Sequence, residues 1–251
     1  MILFFWAMLL YLCLYEPLYG YFDYQKFKER VHINSEERIK YYKKVMIGLW
    51  IPTIAILCFI IFSPFTLHNI GLSNIVINTT ILGKPVTYGA FVLVIIYLLS
   101  LCYYIIGSNL STKMRSEINR IKSEEMKKSK FVDIMPVTAQ DKTVWTYVSW
   151  TAGITEEIIY RGFAIFALYS LFPSLSIWWV LIISSVLFGL AHTYQGALNV
   201  LKTTLFGFIF SILFIGFGSI IPLIILHFLI DYVGKIGDVV ESNISEKTIK
   251  T

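Results

Sequence analysis

Charged side chains are scarce in this sequence. Asp, Glu, Lys and Arg make up 15% of its 251 residues, whereas hydrophobic residues make up 57%. Soluble domains carry about 25% charged and roughly 45–50% apolar residues. So little polar surface cannot cover a globule in water, which excludes a soluble enzyme and an intrinsically disordered chain. The composition predicts a polytopic membrane protein.

Cysteine is also rare, and its three copies lie in separate apolar stretches at Cys13, Cys58 and Cys102. Their spacing fits neither a zinc cluster nor a disulfide framework, so we interpret them as small apolar side chains. A net charge of +5 is compatible with a nucleic-acid partner, but the positions of the charges indicate membrane topology instead.

Apolar runs long enough to cross a bilayer recur along the chain. At 1.5 Å per residue, about 18 or more apolar residues span a hydrocarbon core of ~30 Å. We therefore predict an all-α bundle of about seven transmembrane helices. They are Met1–Tyr21, Val45–Phe62, Tyr88–Ile106, Trp145–Phe172, Leu175–Ala191, Val200–Phe217 and Ile220–Val233.

Basic residues mark the predicted cytoplasmic side. Seven lie in Tyr21–Lys44 and eight in Ser108–Lys142, whereas Ser63–Thr87 between them holds only Lys84. Loops rich in Lys and Arg stay in the cytoplasm. We therefore predict a multi-pass protein of the cell membrane with its N-terminus outside and its C-terminus in the cytoplasm.

Charge and motifs divide the chain into three predicted parts. Residues 1–142 form an N-terminal three-span region with two basic cytoplasmic loops, residues 143–236 a four-helix core, and residues 237–251 a short polar cytoplasmic tail. Mixed charge at helical spacing over Lys113–Lys130 indicates an amphipathic or solvated helix.

Several ionisable side chains lie on the last four predicted spans. A charge in hydrocarbon costs roughly 3 kcal/mol on insertion scales, so such residues persist only if they are paired or functional. The first three spans hold almost none, apart from Glu16 near the inner edge. The set is Glu156, Glu157, Arg161, His192, His227 and Asp231.

Spacing separates the two adjacent acids. Glu157 and Arg161 are four residues apart on one helix and can pair directly. Glu156 lies about 100° around the helix from Glu157, which leaves it without a local cation. Desolvation disfavours the charged form of such a carboxylate and makes it a better proton acceptor, as a general base requires. His227 and Asp231 are also four residues apart, so they face one side of their helix. A carboxylate, two imidazoles and a second acid from three helices can then converge on one cavity, where they can activate a water and stabilise an oxyanion.

Three motifs occur in order, each on its own predicted span: Glu156-Glu157-Ile-Ile-Tyr-Arg161, Phe188-Gly-Leu-Ala-His192 and His227-Phe-Leu-Ile-Asp231. They resemble the E-E-x-x-x-R, F-x-x-x-H and H-x-x-x-N/D signatures of the CPBP family. This family contains CAAX prenyl proteases and bacteriocin-processing or bacteriocin-immunity proteins, and is also called the Abi family. The resemblance covers roughly Met135–Tyr232.

The resemblance implies an intramembrane glutamate-type endopeptidase that uses no cofactor and no metal. It implies that Glu156 activates the attacking water and that His192 helps to hold this water. His227 and Asp231 would sit at the oxyanion site. The residues that would orient the first motif are Glu157 and Arg161.

Asp231 stands where some family members have asparagine. An Asn amide can donate to an oxyanion, whereas an ionised Asp cannot. Either Asp231 is protonated or it orients His227, and the spacing of four residues favours the second. A zinc site made of Glu156, His192 and His227 is disfavoured, because no H-E-x-x-H motif occurs and the three residues come from separate helices.

Three functions compete at this point. The favoured one is an endopeptidase that cleaves a membrane-associated peptide or protein at the inner leaflet, with a prenylated protein, a bacteriocin precursor and a pheromone precursor all open as substrates. The second is a non-proteolytic membrane scaffold, or an immunity or regulatory partner. The third is a proton-coupled transporter, since buried carboxylates and histidines also form proton relays, although no inverted repeat is evident. The lipid bilayer is the expected partner, and nucleic acid is not.

Overall fold

The computed structural model describes residues 1–128 and 130–234. Over these residues the chain folds into helices joined by turns, without a β-strand. The predicted all-α membrane bundle is therefore confirmed. The predicted tail over 237–251 lies outside the described residues, so its position stays a prediction.

Ten α-helices follow one another in the part of the chain that the structure describes. They are α1 (Ile2–Leu14), α2 (Tyr21–Val31), α3 (Glu37–Ile61), α4 (Lys84–Leu110), α5 (Thr112–Lys128), α6 (Ala139–Glu156), α7 (Ile165–Leu171), α8 (Ile177–Leu190), α9 (Ala197–Phe217) and α10 (Ile221–Val233). Two π-helical turns link neighbouring helices, Tyr15–Gly20 between α1 and α2 and Glu157–Ala164 between α6 and α7.

Helices long and apolar enough to cross a membrane account for four of the predicted spans. Among the described residues these are Ile2–Val31, Glu37–Ile61, Lys84–Gly107 and Ala197–Phe217. Two further predicted spans coincide with the shorter apolar helices α8 and α10. The remaining one lies in the continuous helical run from α6 to α7, which carries the charged first motif.

The first basic segment, predicted as a loop over Tyr21–Lys44, is mostly helical. α1 continues through its π-helical turn into α2, and only a short turn separates α2 from α3. The helix continues because Tyr24, Phe27 and Val31 bury one face of α2 against Tyr41. A run of basic residues indicates the side of the membrane, and it does not by itself interrupt a helix.

The second basic segment contains the helix predicted over Lys113–Lys130, observed as α5. Arg120 on this helix is exposed and contacts Glu117 at 2.6 Å and Glu124 at 2.7 Å. These i,i+3 and i,i+4 pairs stabilise the helix locally.

Both basic segments meet at one end of the bundle, which we call the basic end. Arg38 on α3 is buried and contacts the Asp141 carboxylate at 3.1 Å. Asp141 caps the start of α6 by accepting from the Thr138 backbone amide. The Tyr42 hydroxyl donates to the Ile134 carbonyl at 2.6 Å. The two segments thus lie on one side, as the predicted topology requires, and the side of the membrane they face stays a prediction.

The opposite end is closed by the long loop between α3 and α4. The Val76 amide donates to the Phe217 carbonyl at 2.9 Å, and the Ser219 hydroxyl donates to the Ser73 carbonyl at 2.7 Å. This loop therefore binds the turn between α9 and α10 and fixes the start of α10, which carries the third motif.

Candidate active site

The site is built where α6 and α10 run antiparallel in close contact. A Cβ atom at Gly153 would lie 3.0 Å from the Ile224 carbonyl oxygen, so a larger residue would have to push the α10 backbone away by a few tenths of an ångström. The rings of Trp150 and Phe228 stack at 4.0 Å. The contact brings the end of α6, with the first motif, against the third motif on α10.

The first motif continues into the π-helical turn Glu157–Ala164, all of whose residues are buried. π-helical turns are rare and occur frequently at functional sites. Gly162 lets the turn press against the loop before α4, because a Cβ there would lie 2.6 Å from the Ile70 carbonyl oxygen. The altered helical pitch at the first motif thus coincides with a close contact between Gly162 and a distant loop.

Glu157 is the buried centre of the site. Its Oε1 accepts a hydrogen bond of 3.0 Å from Arg161 Nη1 and lies 2.7 Å from His227 Nδ1. Because an ionised carboxylate only accepts, His227 donates from Nδ1. The predicted pairing of Glu157 with Arg161 is observed, and Glu157 also fixes the orientation of the imidazole.

Arg161 is enclosed by aromatic rings. Its guanidinium lies 4.1 Å from the centre of the Phe188 ring and 5.3 Å from that of Phe210. These are cation–π distances. Among the described residues, Arg161 Nη2 and Glu157 Oε2 have no hydrogen-bond partner, so the pair is held by one direct bond and by the surrounding rings.

The other nitrogen of His227 faces two acids. Nε2 lies 3.7 Å from Glu156 Oε2 and 3.7 Å from Asp231 Oδ2. Both distances exceed a hydrogen bond and suit a bridging water or a substrate group. The sequence favours Asp231 as the residue that orients His227, whereas in the structure Glu157 makes that hydrogen bond and Asp231 faces the opposite nitrogen.

Exposure separates the adjacent acids. The side chains of Glu157 and Arg161 are 0% and 1% exposed. The Glu156 side chain is 14% exposed and that of Asp231 33%. Glu157 and Arg161 therefore form a sealed ion pair, whereas the Glu156 and Asp231 carboxylates can be reached by a substrate.

His192 lies just beyond the end of α8, where its Nδ1 contacts the Phe188 carbonyl oxygen at 2.8 Å. A carbonyl accepts, so Nδ1 carries the hydrogen and Nε2 of the neutral ring is left as an acceptor. An imidazole in this tautomer can accept a hydrogen bond from a water.

The Phe188 ring contacts both histidines. Its centre is 4.9 Å from that of His192 and 6.2 Å from that of His227. Phe206 and Phe210 on α9 add ring contacts with His227 at 6.4 and 6.0 Å. The motif pattern signals Phe188, but nothing in the sequence singles out the two α9 rings.

Within the described residues no three His, Cys, Asp or Glu side chains are arranged to hold a metal ion, and this includes the side chains of the site. A cleft of about 490 Å³ lies between the start of α1 and the end of α3, lined by Met1, Phe4 and Phe59 among others. It carries no acid or histidine, so the chemistry of the side chains locates the site rather than the size of a cleft.

A known family matches this part of the chain. Residues 139–233, from the first residue of α6 to the last of α10, match the family model of type II CAAX prenyl endopeptidase Rce1-like proteins. The match contains all three motifs. No curated protein and no solved structure matches the chain.

Proposed function

We propose that this membrane protein hydrolyses a peptide bond with a water activated by Glu156. The premise is that residues 139–233 form a domain of the type II CAAX prenyl endopeptidase Rce1-like family. The observation that carries the proposal is the accessible Glu156 carboxylate, which faces His227 Nε2 at 3.7 Å beside a sealed Glu157–Arg161 pair.

The two acids differ in what already occupies them. Glu157 accepts from Arg161 and His227 and is fully buried, so it cannot approach a substrate. Glu156 has no cation or donor closer than 3.7 Å among the described residues. A base must reach the proton that it removes, which favours Glu156.

In the first step the water oxygen bonds to the scissile carbonyl carbon and the water proton passes to Glu156. The electron pair of the carbonyl moves onto its oxygen. His227, with its Nδ1 hydrogen held by Glu157, donates from Nε2 to that oxyanion as the imidazolium. The negative charge of the oxyanion balances that of the imidazolium, Asp231 Oδ2 lies 3.7 Å from the same nitrogen, and His192 Nε2 accepts from the water and holds it.

In the second step the carbonyl re-forms and the carbon–nitrogen bond breaks. The proton on Glu156 passes to the leaving amine, so that one carboxylate serves as base and then as acid. The products are a carboxylic acid and an amine, and no cofactor is consumed.

The substrate in this proposal is a peptide or protein associated with the inner leaflet. His192 and Asp231 lie toward the basic end, which supports access from the predicted cytoplasmic side. The family's name makes a prenylated C-terminal peptide one candidate, and a bacteriocin or pheromone precursor is another.

The test compares the membrane peptidomes of cells carrying the wild type and Glu156→Ala. We expect precursor peptides to accumulate in the variant while shorter products disappear. In parallel, both proteins in nanodiscs are assayed with a quenched, farnesylated Cys-aliphatic-aliphatic-X peptide. A scaffold would keep its cellular function after the substitution, and a transporter would take up protons in vesicles without cleaving any peptide.

Asp231 is expected to tolerate asparagine but not alanine. Asn keeps the size and an acceptor oxygen beside His227 Nε2, so Asp231→Asn should retain activity within about tenfold of wild type. Asp231→Ala removes the group and should cost about a hundredfold, the lower part of the range for a polar group that stabilises a transition state. The measurement is kcat/KM with the cleaved peptide, and an inactive Asn variant would count against this role.

Chelators are expected to leave hydrolysis unchanged, because the proposed steps use only side chains and water. The full-length protein is incubated with excess EDTA or 1,10-phenanthroline before the rate is measured. If activity is lost and then restored by Zn²⁺, the alternative zinc site of Glu156, His192 and His227 gains support instead.

A further inference from the structure

Thr193, which directly follows His192, is bound to the first helix of the chain. Its hydroxyl donates a 2.9 Å hydrogen bond to the carbonyl oxygen of Pro17, 176 residues away. Pro17 is buried in the π-helical turn Tyr15–Gly20. A segment outside the family match at 139–233 therefore contacts the neighbour of a site histidine.

His192 lies just outside α8, and its backbone amide still donates to the Gly189 carbonyl of that helix at 3.0 Å. α8 ends at Leu190, and the His192 backbone has φ −100° and ψ 20°. The Nδ1 contact with Phe188 ties the ring back to α8. On its other side, the His192 carbonyl accepts a 2.9 Å hydrogen bond from the Gln195 amide of the short turn Thr193–Gln195.

Tyr194 gives this turn a second contact with the N-terminal helices. Its ring lies 5.0 Å from that of Tyr24 on α2. Burial raises the pKa of the Tyr194 phenol, and the nearby carboxylates Glu156, Asp231 and Glu16 add to the rise. The turn thus contacts the N-terminal helices at two residues, Thr193 and Tyr194.

We propose that the first helix positions His192 through the hydrogen bond between Thr193 and the Pro17 carbonyl, which makes Thr193 a positioning residue of the reaction. The inference rests on the proposed function, because it takes His192 as the residue that holds the attacking water. It assigns a task in catalysis to a helix that carries no family motif.

The test uses the full chain in nanodiscs and compares three variants. Thr193→Val keeps the shape of the side chain and removes the hydroxyl, whereas Thr193→Ser keeps the hydroxyl. Thr203→Val is the matched control, because its hydroxyl donates to the Asn199 carbonyl of its own helix at 2.6 Å.

The first measurement needs no substrate. Hydrogen–deuterium exchange is followed by mass spectrometry over residues 189–196. With Thr193→Val we expect exchange there to rise about tenfold, the ratio that the loss of one hydrogen bond allows. Thr193→Ser and Thr203→Val should leave this segment within about twofold of wild type. Unchanged exchange with Thr193→Val would overturn the inference.

The second measurement is hydrolysis of the quenched farnesylated peptide. Thr193→Val should lower kcat about tenfold and leave KM within about twofold, because it displaces a group used in the chemical step rather than in binding. Thr193→Ser should restore kcat. Equal losses in Thr193→Val and Thr193→Ser, or a loss in KM alone, contradict positioning through the hydroxyl.

Glu156→Gln in the same assay separates the two proposals. If this variant cleaves as fast as the wild type, Glu156 is not the base and the proposed mechanism fails whatever Thr193 does. If it is inactive while Thr193→Val has the wild-type kcat and exchange, only the positioning inference fails.

Discussion

Replacing Glu156 with glutamine is expected to lower the rate of peptide hydrolysis about a thousandfold, within the range of a lost general base. The glutamine amide has nearly the size of the Glu156 carboxylate. It therefore fits the same position, where the Glu156 side chain is 14% exposed and lies 3.7 Å from His227 Nε2. It cannot take a proton from water. The rate is measured as kcat in nanodiscs, together with the thermal midpoint of unfolding, which should stay within a few degrees of wild type.

Glu157→Gln is the matched control for this prediction. The same change one residue later weakens the acceptor for Arg161 and His227 inside the sealed part of the site. It should therefore lower stability, as removal of one partner of a buried pair does, by about 3–5 kcal/mol. The expected signature is a loss of fold for Glu157→Gln and a loss of rate for Glu156→Gln.

The opposite result, a loss of rate for Glu157→Gln and a loss of fold for Glu156→Gln, would mean that Glu156 is not the base. A Glu156→Gln protein that keeps more than about a tenth of the wild-type kcat has a base elsewhere. A Glu156→Gln protein that unfolds at the temperature of Glu157→Gln assigns both acids a structural task.

Local spacing explains what could be predicted of the site. Residues four apart on a helix lie on one face, so the pairing of Glu157 with Arg161 follows from the sequence alone. The division between Glu156 and Glu157 has the same origin, because adjacent residues point in different directions around a helix. The contact between Glu157 and His227, 70 residues apart, depends on how α6 meets α10, which no local pattern specifies.

The π-helical turns could not be predicted for a related reason. Sequence periodicity assumes 3.6 residues per turn, and both turns depart from it, one within the first motif and the other at the contact with Thr193. Glu157–Ala164 packs through Gly162 against a carbonyl of a distant loop, and Tyr15–Gly20 offers the Pro17 carbonyl to Thr193. Each partner is distant in sequence, so the N-terminal helix has no visible link to the site until the fold is known.

Replacing Arg161 with methionine is expected to destabilise the protein by about 3–5 kcal/mol, the cost of removing one partner of a buried ion pair. Glu157 is 0% exposed and would keep only His227 as a donor. Methionine fills the space between the Phe188 and Phe210 rings without replacing the charge. Denaturant unfolding in mixed micelles measures the loss.

The double variant Glu157→Gln/Arg161→Met tests whether the stranded charge causes that loss. With no carboxylate left unpaired, it should be more stable than Arg161→Met alone by about 1–3 kcal/mol of coupling. Arg120→Met is the matched control, since Arg120 is exposed on α5 and pairs with the surface acids Glu117 and Glu124, and its stability should not change measurably. If Arg161→Met is as stable as Arg120→Met, the pair contributes nothing to the fold. The contact of Arg161 with Glu157 would then serve to orient His227 during the reaction, and Arg161→Met would lower kcat without lowering stability.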